Sequence, residues 1–209
     1  MNNHYVINLG RQLGSGGKEI GEKLARELNI AFYDKELIRL ASEESGLCKE
    51  FFEKADERTQ KTFIGALFGN RVPFVGDGAI PYGSCLNNDA LFKIQSDVIR
   101  GLAKNGSCLF VGRCADYILR DHPRQVNIFI SASKEARIER IMQKEGITAE
   151  QAEELITKAD KKRSAYYNYY SYNTWGAAAT YHLFIDSSVL GIDGTVAFIK
   201  DFVKKKLGI

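Results

Sequence analysis

The sequence predicts an α/β protein with a doubly wound parallel sheet, and three observations carry that prediction. Five short β-prone runs alternate with longer segments of helical periodicity, and strands separated in this way pair in parallel through helical crossovers. The runs SCLFVG (107–112) and QVNIFIS (125–131) are apolar almost without interruption, as strands are when helices cover both faces of their sheet. The first run ends in a glycine-rich turn that opens directly into a helical pattern.

HYVINL (4–9) is the first strand and stops at Gly10. The helix that follows, IGEKLARELN, sets Ile20, Leu24 and Leu28 on one face and Glu22, Lys23, Arg26 and Glu27 elsewhere, so it packs on the sheet by an apolar stripe. IAFY (30–33) is the second strand. The stretch 65–88 holds two of the three prolines and many glycines, which breaks regular structure and marks either a mobile lobe or a plain surface excursion. Helical patterns at 89–104, 134–145, 149–163 and 193–207 separate the remaining strands, which are 107–112, 125–131 and YHLFID at 181–186. No internal repeat is present.

With 209 residues, 44% of them hydrophobic and 26% charged, the chain can bury one substantial core with an inserted lobe, which excludes disorder as its main state. A net charge of +3 is too small to mark a nucleic-acid or membrane surface. The four cysteines at 48, 85, 108 and 114 are too widely spaced for metal pairs and read as reduced thiols. The start, MNNHYVINLGRQ, lacks a basic apolar leader, and no run of about 18 apolar residues follows. A cytoplasmic protein is expected. His4, His122 and His182 make no metal spacing, and no serine–histidine–acid arrangement can be placed.

The turn GRQLGSGGKEIG carries the chemistry. Gly14, Ser15, Gly16 and Gly17 precede Lys18 and Glu19, so backbone amides and the positive end of a helix beginning at about Lys18 face the same point, where a polyphosphate would be stabilised. The pattern GxxxxGK[ST] is missed, because Gln12 stands where the first glycine belongs and Glu19 replaces the hydroxyl. A tight glycine turn at a helix start, or a loosened dinucleotide fingerprint, are the alternatives. The second lacks a suitably placed ribose acid, since Asp34 comes too early.

GRQLGSGGKEIGEKLARELNIAFYDKELI, followed in order by LFVGRCADYIL, NIFISASKEARIERI and YHLFIDSSVLGIDG, resembles the cytidylate kinase-like family of P-loop nucleoside monophosphate kinases over nearly the whole chain. The resemblance implies a P-loop NTPase fold with a core of 1–34, 105–135 and 180–209, a monophosphate-binding insert at 35–104 and a lid at 136–179. It also implies ATP at the turn formed by Gly14, Ser15, Gly16, Gly17, Lys18 and Glu19, with Mg2+ carried on the nucleotide and a small phosphate acceptor, CMP in the family's namesakes. An ungapped comparison puts Gly17 at the lysine position of the family, whereas a one-residue gap restores Lys18; both registers stand. Asp34 matches the aspartate that shapes the monophosphate site, or caps a helix, and Arg39 is a looser match to a phosphate-binding arginine. Arg113 matches the arginine that faces the acceptor's phosphate. Val111 and Cys114 replace two aspartates of the family pattern, near magnesium and at the cytosine amino group, which removes the basis for cytosine selectivity. Asp160 and Arg163 reproduce a D-x-x-R pair of the lid, with Arg163 toward the transferred phosphoryl; Arg137 and Arg140 are weaker candidates. The aromatic run of Tyr166, Tyr167, Tyr169, Tyr170, Tyr172 and Trp175 belongs to the resemblance without a role.

These readings lead to ATP-dependent phosphoryl transfer to a nucleoside monophosphate. A nucleotide-binding regulatory protein and a kinase of a non-nucleotide metabolite are the alternatives.

Overall fold

A computed structural model describes residues 4–35, 38 and 84–209. Arg39 and most of the stretch 65–88 lie outside the described residues. Five strands form one parallel sheet: β1 (Val6–Arg11), β2 (Ala31–Tyr33), β3 (Cys108–Val111), β4 (Gln125–Ser131) and β5 (Leu183–Asp186), in the order β2-β3-β1-β4-β5. The helices are α1 (Gly17–Leu28), α2 (Ser84–Asn105), α3 (Ala115–Ile118), α4 (Lys134–Glu145), α5 (Ala149–Ser171) and α6 (Ser187–Leu207).

The alternation of side chains along each strand divides the core. Ile7 and Leu9 of β1, Leu109 and Val111 of β3, and Ile128 and Ile130 of β4 join Ile20 and Leu24 of α1 and Val196, Ile199 and Val203 of α6 in one buried cluster. The opposite face carries Asn8, Phe110 and Phe129, all nearly solvent-free. Both faces are covered, which is why β3 and β4 read as unbroken apolar runs. Contacts divide the chain into two compact units, Met1–Asp34 with Leu102–Ile209 and, separately, Lys35–Gly101. The first holds the entire sheet; the described part of the second is chiefly helical, with Val98 and Ile99 buried.

Several element limits differ from expectation for local reasons. β1 runs past Gly10, because Gly10 and Arg11 still pair with Phe129 and Ile130 of β4. α2 begins at Ser84 rather than residue 89, since no glycine or proline stands between Gly83 and that point. α5 is opened by a Thr148–Gln151 capping box and carries the tyrosine run as far as the left-handed cap Tyr172, where the sequence pattern stopped at 163. α6 starts at Ser187, with Asp186 accepting from the Ser188 amide, and bends at Gly191. His182 falls just before β5 and not within it; its amide donates to the carbonyl of Asn127 and its Nδ1 accepts from the Asn127 amide. Among the described residues no helix is long and apolar enough to cross a membrane.

Candidate functional site

In a parallel sheet of this kind ligands bind beyond the carboxyl ends of the strands, where the strand order reverses. β1 and β3 are neighbours, with Leu9 beside Val111, and their ends deliver the turn of residues 11–17 and the turn Gly112-Arg113-Cys114 to one place. Gly14 and Gly16 have φ of 81° and 73°, left-handed values that suit glycine. A β-carbon on Gly14 would stand 2.8 Å from the Arg137 carbonyl oxygen. Gly16 is the N-cap of α1 and supplies no side-chain cap to the first amides of the helix. Ser15 is fully buried; its hydroxyl donates to Gln12 at 2.9 Å, while its carbonyl accepts from Ser187 at 2.6 Å. Its amide donates to the Gln12 carbonyl at 3.4 Å, so Ser15 shapes the turn.

The hairpin of α4 and α5 grips this turn. Leu13 inserts among Ile138, Ile141, Met142, Ala152 and Ile156. Its amide donates to Asp160 Oδ1 at 2.8 Å, and its carbonyl accepts from Arg137 Nε at 2.7 Å. Arg137 also forms an ion pair with Asp160, both largely buried. Arg140 Nη1 donates to the Gly14 carbonyl, and Arg163 Nη1 donates to the Arg11 carbonyl at 3.2 Å. The arginines thus occupy the carbonyls of Arg11, Leu13 and Gly14; with the Leu13 and Ser15 amides engaged as well, the amides of Gly14, Gly16 and Gly17 are the groups available to an anion. Asp160 and Arg163, expected at the acceptor and the moving phosphoryl, both hold the turn in this structure.

Lys18 Nζ lies 2.6 Å from Asp34 and 3.8 Å from Glu22. Glu19 pairs with Lys23 at 3.2 Å on the surface of α1. After β3, Gly112, Arg113 and Cys114 all take positive φ, a costly local geometry for the two that are not glycine. It brings Arg113 over the Tyr166 ring at 5.7 Å and drives Cys114 inward. Burial, with Asp116 adding to it, pushes the Cys114 thiol well above its ordinary value, so it is an inert core thiol and no substitute for a carboxylate. Burial lowers the Arg163 guanidinium, Asp160 raising it and Arg137 adding to the fall. Burial also pushes Arg11 down to about 9, and Arg163 and Arg113 act in the same direction; it stays charged at neutral pH.

Arg11, the targets of Arg137 and Arg140, and the partner of Asp116 escaped the sequence. Arg11 reads as an ordinary strand-end residue until its neighbours are known. Arg137 and Arg140 lie one helical turn apart on α4, a spacing that signals a shared face but not what that face meets. Asp116 accepts from the Tyr167 hydroxyl at 2.6 Å, which gives one member of the tyrosine run a buried partner on α3.

Among the described residues no group of three or more histidine, cysteine or acidic side chains converges, Glu19 is engaged by Lys23, and Val111 is apolar and buried.

The profile of the cytidylate kinase-like family matches residues 6–189. Curated proteins give no match. Among solved structures, an uncharacterized protein from Eubacterium ventriosum ATCC 27560 superposes with a TM-score of 0.72 at 26% identity, over 96% of this chain and 99% of that one. A shikimate kinase from Bacteroides thetaiotaomicron gives 0.52 at 14% identity, over 96% of this chain and 98% of that one. A gluconokinase from Sinorhizobium meliloti 1021 gives 0.50 at 12% identity, over 100% of this chain and 94% of that one. With the last two the chain shares the P-loop kinase fold.

Proposed function

The chain belongs to the cytidylate kinase-like family, and we propose that it transfers the γ-phosphoryl group of ATP to a small acceptor, in the first instance a nucleoside monophosphate. One observation carries the reading: in the turn after β1 arginines hold the carbonyls of Arg11, Leu13 and Gly14, while the amides of Gly14, Gly16 and Gly17 meet no acceptor among the described residues, beside Arg11, Arg113 and Arg163. Phosphoryl transfer needs positioning and charge neutralisation more than covalent chemistry, and a cationic, pre-shaped turn supplies both. Residues 14–18 hold the triphosphate. Arg113 and Asp34 serve the acceptor, with Lys18 tied to Asp34. Asp160 acts on the turn rather than on substrate. The segment 136–179 is the lid, and Arg163 keeps further donors for the moving phosphoryl. Magnesium travels on the nucleotide, and its chemistry there is to screen phosphate charge.

The buried Val111 and Cys114 favour a second reading in which the acceptor is not a cytosine nucleotide, because neither can replace a carboxylate. Coupled ATP turnover against a panel of nucleoside monophosphates and small hydroxyl acids distinguishes the cases. Turnover with at least one acceptor is expected. ATP binding without turnover on any acceptor would instead mark a regulatory nucleotide-binding protein, and absence of ATP binding would defeat both.

A further inference from the structure

We propose that Arg11 is the phosphate-gripping cation of the turn, taking over from the opposite end of the motif the task that the P-loop pattern gives to lysine. The proposal rests on reading the turn as a triphosphate site and adds the side chain that holds the ligand there.

The pattern GxxxxGK places its lysine directly after the second glycine and six residues after the first, at the junction of turn and helix. In this structure the turn closes at Gly16, the N-cap, and α1 begins at Gly17. The lysine position is therefore Gly17, and the first glycine position, six residues earlier, is Arg11. The two residue types are exchanged along the chain.

They are also exchanged in space. A β-carbon built on Gly17 would stand 2.5 Å from Arg11 Cβ and 2.9 Å from Arg11 Cγ, so the stem of Arg11 fills the space that a side chain at 17 would leave by. Farther along, Arg11 Nη1 overlaps the place of a β-carbon on Gly112. The arginine runs from the end of β1, across the first residue of α1, to the turn after β3. Glycine at 17 and at 112 makes that path possible.

Among the described residues no carboxylate pairs with the charge at the end of this path. The Arg11 guanidinium makes no hydrogen bond or ion pair among the described residues, although Arg113 and Arg163 are close enough to oppose its charge. The two carboxylates that favour it, Asp34 and Asp160, are already paired with Lys18 and Arg137. Lys18 itself is drawn to Asp34 at 2.6 Å, with 62% of its side chain exposed. A planar fork of donors beside two further guanidiniums and the uncapped start of α1 suits a multiply charged phosphate, which binds such a fork in bidentate fashion.

The test is calorimetric binding of ATP and of inorganic tripolyphosphate to the full chain, with thermal melting as the folding control, for wild type, R11G, R11K, G17K and R11G/G17K. Removing a charged hydrogen-bonding partner should weaken both ligands by about 10- to 100-fold in R11G, with R11K between R11G and wild type. G17K alone should lower the melting temperature, because the new side chain meets Arg11. In the double variant that obstacle is gone, and at least tenfold of the lost affinity should return. A purely structural role for Arg11 would give no such return. The proposal is overturned if R11G keeps wild-type affinity for tripolyphosphate, or if a natively melting double variant recovers nothing. Arg11-dependent tripolyphosphate binding without ATP turnover would uphold Arg11 and sink the kinase reading; a wild type that binds neither ligand would sink both.

Discussion

Asp116 is a partly buried carboxyl from which a pH dependence follows. Burial is the larger influence and raises its pKa, against the lowering effect of the Tyr167 hydroxyl. Tyr167 is itself held far above its ordinary value by burial and by Asp116, so it remains a donor. Tyr181, linked to Tyr167, is pushed up to about 12, chiefly by burial. A carboxyl whose folded pKa is raised favours the folded state below its ordinary value, and that contribution is lost as pH rises through the folded value. Asn keeps the acceptor for Tyr167 and cannot ionise. The melting temperature of D116N relative to wild type should therefore climb as pH increases from about 3.5 to 8; a flat or falling difference would contradict the assignment. The sequence displayed Asp116 as one acid among many, because a partner 51 residues away leaves no local pattern.

At the scale of elements, the α4–α5 hairpin and the turn are one mechanical unit. Leu13 is its apolar pin and Asp160 its polar one, accepting from the Leu13 amide while paired with Arg137. Breaking a buried ion pair on one side leaves an uncompensated charge, typically at a cost of about 3–5 kcal/mol. D160A should lose stability of that order in urea unfolding and weaken ATP binding as well, whereas D160N, which still accepts from Leu13, should lose less. Equal, small losses in both would show that the turn does not depend on this clamp. The hairpin's first helix was legible to the residue, 134–145, because Ser133 caps it, Gly146 ends it and its period is unbroken. Its second helix was underestimated, because the tyrosines at 166–172 form a nearly continuous aromatic run that shows no helical period, although Tyr167 is buried within the helix. The D-x-x-R pair was visible as charge, but its target, the backbone of residues 11–13, is about 150 residues distant in the chain.

Taken as a whole, the molecule follows from its hydrophobic pattern: five strands in the expected order along the chain, all parallel, with the glycine turn at the end of the first. Strand alternation, helix periods and glycine placement are local signals, and they were enough for the sheet. The site was legible only in part. Glycines 14, 16 and 17, Lys18 and Arg113 announced themselves by motif, whereas Arg11 is defined by what Gly17 and Gly112 leave empty around it. The direct measurement is amide NMR on the full chain during titration with ATP and magnesium. The account predicts that the Gly14, Gly16 and Gly17 amides shift most and exchange more slowly with solvent as the nucleotide binds. ATP binding that moves resonances elsewhere and leaves those three unchanged would contradict it.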